Sequence, residues 1–112
     1  MTLDFILHLR TLCGEWFPLP QEDREELQEA IQTGCYLTVW SQDQLVGFLS
    51  YKPIQQGAVW ISQCYALSPE AFWHLVKQGR AIPATRIHFH RAQTQTWKHR
   101  RWRHALAASS TD

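Results

Sequence analysis

Residues 27–51 read LQEAIQTGCYLTVWSQDQLVGFLSY, and this stretch decides the fold expected for the 112-residue chain. Gly34 follows a helical pattern and ends it, as glycine commonly does just past a helix C-terminus. Two runs rich in β-branched, aliphatic and aromatic residues then flank the polar residues 41–44, a pattern typical of a β-hairpin. The stretch therefore predicts the end of a helix followed by two antiparallel strands.

Two helices are predicted before the hairpin. Apolar side chains at spacings of three and four residues predict the first over residues 3–12, and Gly14 with the following prolines ends it. Residues 21–32 predict the second, because acidic side chains crowd its first turns, where the helix dipole favours negative charge. Both helices carry an apolar face for packing against the sheet.

A third strand and a second turn are predicted after the hairpin. Residues 53–57 are polar and contain proline and glycine, which indicates a turn. Residues 58–67 alternate in the manner of a strand. One side of that strand is predicted to carry Val59, Ile61, Gln63 and Tyr65. Three consecutive antiparallel strands then form a meander.

The last regular elements are a helix and a fourth strand. Ser68, Pro69 and Glu70 have the form of a helix start, with serine as N-cap, proline at the first helical position and an acid in the first turn. The helix runs to Gly79, and residues 86–90 predict a strand. Because a helix precedes this strand, it can lie parallel to the third.

Composition indicates one folded domain over residues 1–112, with residues 107–112 predicted to be a disordered tail. The apolar fraction of 45% and charged fraction of 19% exclude a disordered chain. No apolar stretch has the roughly 20 residues that a membrane span needs. The three cysteines lack a CxxC pair and are interpreted as free thiols in the cytoplasm.

The predicted order of elements resembles the GNAT acyltransferase superfamily, on residues 27–51 quoted above and, in outline, on residues 59–90. The resemblance implies an α/β (α+β) fold: a GNAT-like antiparallel sheet with a three-strand meander flanked by helices. Within that superfamily the chain looks closest to the toxin-activating lysine acyltransferases. The resemblance covers about 60 of the 112 residues.

The acyl donor implied by the resemblance is acyl-CoA or acyl carrier protein. GNAT enzymes bind the pyrophosphate of acetyl-CoA with a glycine-containing loop that opens the helix after the third main strand. Here that junction, residues 66–70, contains no glycine. Toxin-activating acyltransferases also lack the loop and take a fatty-acyl chain from acyl carrier protein.

The resemblance also implies a catalytic pair, a histidine shortly before a tryptophan-proline segment and an aspartate in the third strand. With Trp16 as the anchor, this chain has Cys13 near the histidine position and Gln63 near the aspartate position. Cys13 becomes a candidate nucleophile only with a base, for which His8 is the nearest histidine. The competing interpretations are a small buried apolar role for Cys13 and a surface role for His8.

His88 and His90 are two residues apart in the predicted fourth strand and therefore share a face. Two imidazoles on one face are a partial ligand set for a divalent metal. No acidic or cysteine neighbour completes the set in the sequence, so we predict no metal site and interpret this face of the sheet as partly exposed.

Charge is divided unevenly along the chain. Residues 1–70 contain nine acidic and three basic side chains, whereas residues 71–112 contain eight basic side chains and one acidic one. Residues 86–104, hereafter the basic segment, contain no acid. The candidate binding residues of the basic segment are Arg86, Arg91, Trp97, Lys98, Arg100, Arg101, Trp102 and Arg103.

Three occupants fit the basic segment. Cations interleaved with tryptophan suit the phosphates and bases of a nucleic acid. The acidic second helix, within the chain or across a homodimer, is another. An acidic protein partner such as acyl carrier protein is the third. We expect an acyltransferase-fold protein without standard catalysis that binds a partner through this segment; an active protein acyltransferase and a nucleic-acid-binding module are the alternatives.

Overall fold

Three helices and four strands form the architecture, as seen in a computed structural model that describes residues 1–55, 57–82 and 86–89. In chain order the elements are α1 (Leu3–Leu12), α2 (Gln21–Thr33), β1 (Tyr36–Ser41), β2 (Gln44–Gln55), β3 (Ala58–Ala66), α3 (Pro69–Gly79) and β4 (Arg86–Phe89). The predicted helices and the predicted hairpin are confirmed. The predicted tail at residues 107–112 lies outside the described ranges.

The strands form one sheet in the order β1-β2-β3-β4. The first three are antiparallel neighbours, so the predicted meander is confirmed. The fourth pairs in parallel with β3, from Ala58 opposite Arg86 to Ile61 opposite Phe89. Within the described residues the fold is therefore α+β, with one strand parallel to its neighbour.

Helices cover both faces of the sheet. Phe48 in β2 packs with Ile6 and Leu9 of α1 and with Leu27 of α2. The next residue, Leu49, packs with a second cluster that includes Phe72, Leu75 and Val76 of α3. Successive side chains of a strand point to opposite faces, so α1 and α2 lie on one face and α3 lies on the other.

The turn predicted over residues 53–57 is wrong in its start, because β2 continues through Pro53 to Gln55. Pro53 pairs with Val59 of β3. The β1–β2 ladder stops at Tyr36 opposite Ser50, so the far end of β2 lies at an edge of the sheet within the described residues. Proline is tolerated on an edge because a missing N–H breaks no ladder there.

The alternation predicted for β3 is also wrong, because a β-bulge interrupts it. Ser50 pairs with Gln63 and Tyr51 pairs with Ile61, which leaves Ser62 as an extra residue. One extra residue in a strand moves the side chains that follow it to the opposite face of the sheet. Consequently Ile61 packs in the α3 cluster, whereas Tyr65 packs in the cluster beneath α1 and α2.

Candidate functional site

A buried arginine lies beneath the end of α1. Arg10 is 5% exposed, and its guanidinium donates to the carbonyl oxygens of Phe17 at 2.6 Å and Glu15 at 3.3 Å. Its Nε is 3.2 Å from a Glu15 carboxylate oxygen, which makes an ion pair, and this N–H has no hydrogen-bond acceptor among the described residues. The guanidinium also lies 4.7 Å from the centre of the Phe17 ring. Arg10 thus anchors the loop after α1.

The buried polar side chains of β3 continue this cluster. The Tyr65 hydroxyl donates to Gln63 Oε1 at 2.8 Å, and the Gln63 backbone N–H donates to Ser50 Oγ at 3.1 Å. Tyr65 also interacts electrostatically with Glu15 and Arg10. We call Arg10, Glu15, Gln63 and Tyr65 the polar cluster.

Burial controls the ionisation of this region. It raises the pKa of the Tyr65 phenol well above the ordinary value of 10.0, and the negative charge of Glu15 adds to the rise while Arg10 opposes it. Burial also raises the pKa of the Cys64 thiol well above 9.0, with smaller contributions from Cys13 and Glu15. Both groups are therefore neutral at pH 7.

The two positions that the resemblance assigns to catalysis, Cys13 and Gln63, each neighbour the apolar cluster beneath α1 and α2. Cys13 packs against the apolar cluster that contains Tyr65, and Tyr65 is hydrogen-bonded to Gln63. Cys13 is the C-cap residue of α1 and is partly exposed. These two positions carry a thiol and a carboxamide.

His8, the candidate base, is exposed on α1. At 100° per residue, five positions along a helix rotate a side chain by about 140° relative to the first. His8 and Cys13 therefore leave the helix on different sides. The predicted role of His8 as a base for Cys13 stays a prediction, and the exposed position fits the surface interpretation.

The start of α3 offers few N–H groups to an anion. Pro69 has no N–H, and the Ala71 N–H donates to Ser68 Oγ at 3.1 Å, which confirms the predicted cap. The Phe72 N–H donates to the Ser68 carbonyl oxygen at 3.0 Å. Glu70, whose side chain is 87% exposed, adds a negative charge. Electrostatics at this junction disfavour a pyrophosphate.

A groove of about 260 Å³ lies between α2 and the parts of β2 and β3 beyond the end of β1. Its lining includes Glu26, Glu29 and Ala30 of α2, with Cys35, Tyr51 and Pro53 opposite. Lys52 Nζ is 3.7 Å from a Glu29 carboxylate oxygen, and both side chains are about half exposed. The groove thus has an acidic rim and an apolar lining.

Most of the predicted binding residues lie outside the described residues. Arg86 and His88 are placed in β4, whereas His90, Arg91, Trp97, Lys98, Arg100, Arg101, Trp102 and Arg103 fall outside the ranges given above. Within the described residues, no group of three or more His, Cys, Asp or Glu side chains is placed to hold a metal ion. None of the described helices combines the length and hydropathy needed to cross a bilayer.

Sequence reasoning missed the polar cluster, although one signal was present. Arg10 follows Ile6 by one helical turn and precedes Cys13 by another, so it falls on the apolar face of α1. A charged residue on an apolar helix face requires a buried partner. Its partner loop and Tyr65 are set by the packing of α1 on the sheet, which local patterns do not encode.

Comparison with known proteins gives a fold and no family. No family model and no curated protein matches the chain. Among solved structures, a mutant of TTHA1254 from Thermus thermophilus is similar, with a TM-score of 0.62, 20% identity, and coverage of 97% of this chain and 83% of that chain. At this identity the likeness shows the shared fold alone.

Proposed function

We propose that this protein is a binding module on a GNAT-like acyltransferase frame, without standard acyl-transfer chemistry, and that it contacts an acidic protein partner through its basic segment. The observation that carries the proposal is the presence of Cys13 and Gln63 in place of the catalytic residues that the resemblance implies. These are the two positions at which the resemblance expects a histidine and an aspartate. Neither residue type is present there.

The side chains at these two positions disfavour acyl transfer. Gln63 has no titratable proton, and its side-chain oxygen already accepts the Tyr65 hydroxyl. Cys13 lies at the C-terminus of α1, whereas reactive cysteines are typical of helix N-termini and of positions beside cations. A neutral thiol is a poor acyl acceptor.

Donor binding is also disfavoured. Acyl-CoA would bring phosphates to the start of α3, where Pro69 removes one N–H, the Ser68 hydroxyl occupies another, and Glu70 repels the ligand. Acyl carrier protein remains chemically compatible as a binding partner, because it is the acidic donor that the resemblance implies. Binding to such a partner does not require transfer.

The charge distribution supports an acidic partner. The basic segment carries six lysine or arginine residues and no acid. Opposite charges steer association and set its salt dependence. Trp97 and Trp102 add indoles, a side chain common among the residues that dominate interface energetics.

The test is capture of a partner from native cells with the full chain, followed by reconstitution with the purified partner. Arg100→Glu with Arg101→Glu, and separately Trp102→Ala, are expected to weaken the reconstituted complex by about tenfold or more. Lys77→Glu with Arg80→Glu reverses the same number of charges on and just after α3 and is expected to leave affinity within about twofold.

Two results would overturn the proposal. Transfer of an acyl group to the captured partner, from acyl-CoA or acyl carrier protein, would make the protein an enzyme. A salt-sensitive gel shift with single-stranded RNA that is lost in the Arg100→Glu, Arg101→Glu variant, with no protein captured, would make it a nucleic-acid-binding module.

A further inference from the structure

We infer that the groove between α2 and the far end of β2 is the docking site for the chain's own residues 91–104. The size of the groove favours a peptide side chain over a small-molecule ligand. At about 260 Å³ it falls below the roughly 300–1,000 Å³ typical of pockets for small molecules and cofactors. Such a groove suits one or two side chains of a peptide segment.

The lining of the groove suits an aromatic side chain flanked by cations. Ala30, Tyr51 and Pro53 contribute apolar surface, and Glu26 and Glu29 contribute carboxylates at the rim. An indole from Trp97 or Trp102 would contact the apolar lining while neighbouring arginines reach the carboxylates. Arginine forms bidentate hydrogen bonds with carboxylates.

Charge along α2 extends the complementarity beyond the groove. Glu22, Glu26 and Glu29 occur at positions i, i+4 and i+7, which form one stripe of a helix. Lys52 offsets the charge of Glu29 only in part, because that pair is 3.7 Å long and half exposed. The stripe is opposite in charge to residues 91–104, which include cations and no acid.

The path of the chain brings the segment within reach of the groove. Strand β4 runs parallel to β3, and Phe89 at its end lies opposite Ile61. The next residue of β3, Ser62, lines the groove. Strand β4 therefore ends at the level of the groove. Ten extended residues reach roughly 33 Å, which is comparable with the longest dimension of the molecule, 35 Å.

Docking within the chain would mask the basic segment. An acidic partner then competes with α2 for the same cations, so partner binding is weakened by the strength of the internal contact. This consequence rests on the proposed function, whereas the docking itself does not.

Cys35 is a native reporter of docking, since it lines the groove and is partly exposed. The experiment measures the alkylation rate of each cysteine by N-ethylmaleimide in the full chain, resolved by mass spectrometry. Arg100→Gln with Arg101→Gln is expected to raise the Cys35 rate by about threefold or more by exposing it, and roughly 1 M NaCl is expected to do the same in the unmodified chain. The Cys13 rate stays unchanged.

The arginine variant separates exposure from simple electrostatics. Removing nearby cations without undocking would make the Cys35 thiolate less stable and slow its alkylation, so a faster rate reports undocking. Lys77→Gln with Arg80→Gln is the matched control and is expected to leave the Cys35 rate unchanged. Because Cys64 is buried, N-ethylmaleimide alkylates it only if a variant unfolds. In that case the effect of salt on the Cys35 rate of the unmodified chain tests docking.

An unchanged Cys35 rate in both the arginine variant and high salt would overturn the inference, as would an equal increase in the control. Protection that disappears on dilution, together with a doubled mass in solution, would place the segment on a second copy and also overturn docking within the chain. The labelling needs no partner, so its failure and a failure to capture a partner are distinguishable.

Discussion

At the scale of single residues, Gly47 explains how closely α3 can pack on the sheet. A Cβ atom at this position would lie 3.1 Å from Leu75 Cδ1 and 3.2 Å from Val39 Cβ. Both distances are shorter than ordinary van der Waals contact. A side chain at position 47 would therefore displace Leu75 or Val39 by a few tenths of an ångström, which gives glycine a steric advantage in a strand where it is otherwise unfavourable.

Gly47→Ala is expected to lower the free energy of unfolding by about 1 to 2 kcal/mol, the usual effect of overpacking a core. The measurement is urea denaturation at pH 7. In a chain with Leu75→Val, which removes Cδ1, the same change should have a smaller effect because one of the close contacts is gone. Strict additivity of the two changes would contradict this explanation.

At the scale of elements, the start of α3 is determined by residues that are adjacent in sequence. Ser68, Pro69 and Glu70 occupy the N-cap and the first turn, and the Ser68 hydroxyl accepts the Ala71 N–H at 3.1 Å. These contacts join residues close together in the chain, so the sequence predicted them. The same capping removes an anion site from the junction.

Ser68→Ala is expected to destabilise the protein by about 1 kcal/mol, because the Ala71 N–H loses its acceptor. Ser68→Asp keeps an acceptor at the N-cap and is expected to retain most of the stability. Thermal and urea denaturation of both variants provide the measurement. Equal losses for alanine and aspartate would show that the hydroxyl does not act as a cap.

At the scale of the whole molecule, buried acids link stability to alkaline pH. The pKa values of Tyr65 and Cys64 are raised in the folded state, above 10.0 and 9.0 respectively. The unfolded chain therefore loses these protons first as pH rises. The stability that they contribute is fully present below about pH 8 and declines above about pH 9 to 10.

Tyr65→Phe is expected to make the decline above about pH 10 shallower, by up to about 1.4 kcal/mol per pH unit for one proton. At pH 7 the same variant should lose about 1 kcal/mol, because Gln63 Oε1 loses its donor. Urea titrations between pH 7 and pH 11 measure both effects. An unchanged slope above pH 10 would contradict the linkage to Tyr65.

Local patterns by themselves determined much of this protein. Helices α1 and α2, the hairpin of β1 and β2, the cap at Ser68 and the division of charge all follow from residues that are neighbours in sequence. Their causes are local: helical periodicity, capping side chains, a left-handed Gly34 with φ of 74°, and turn residues.

Tertiary structure alone decided the extent of β2, the facing of β3 and the makeup of the candidate site. Pro53 is accommodated because β1 has already ended, and the bulge at Ser62 separates Ile61 from Tyr65. Arg10 meets the Tyr65 region only because α1 packs on the sheet. These features depend on contacts between residues far apart in the chain, and such contacts form only when several elements pack together.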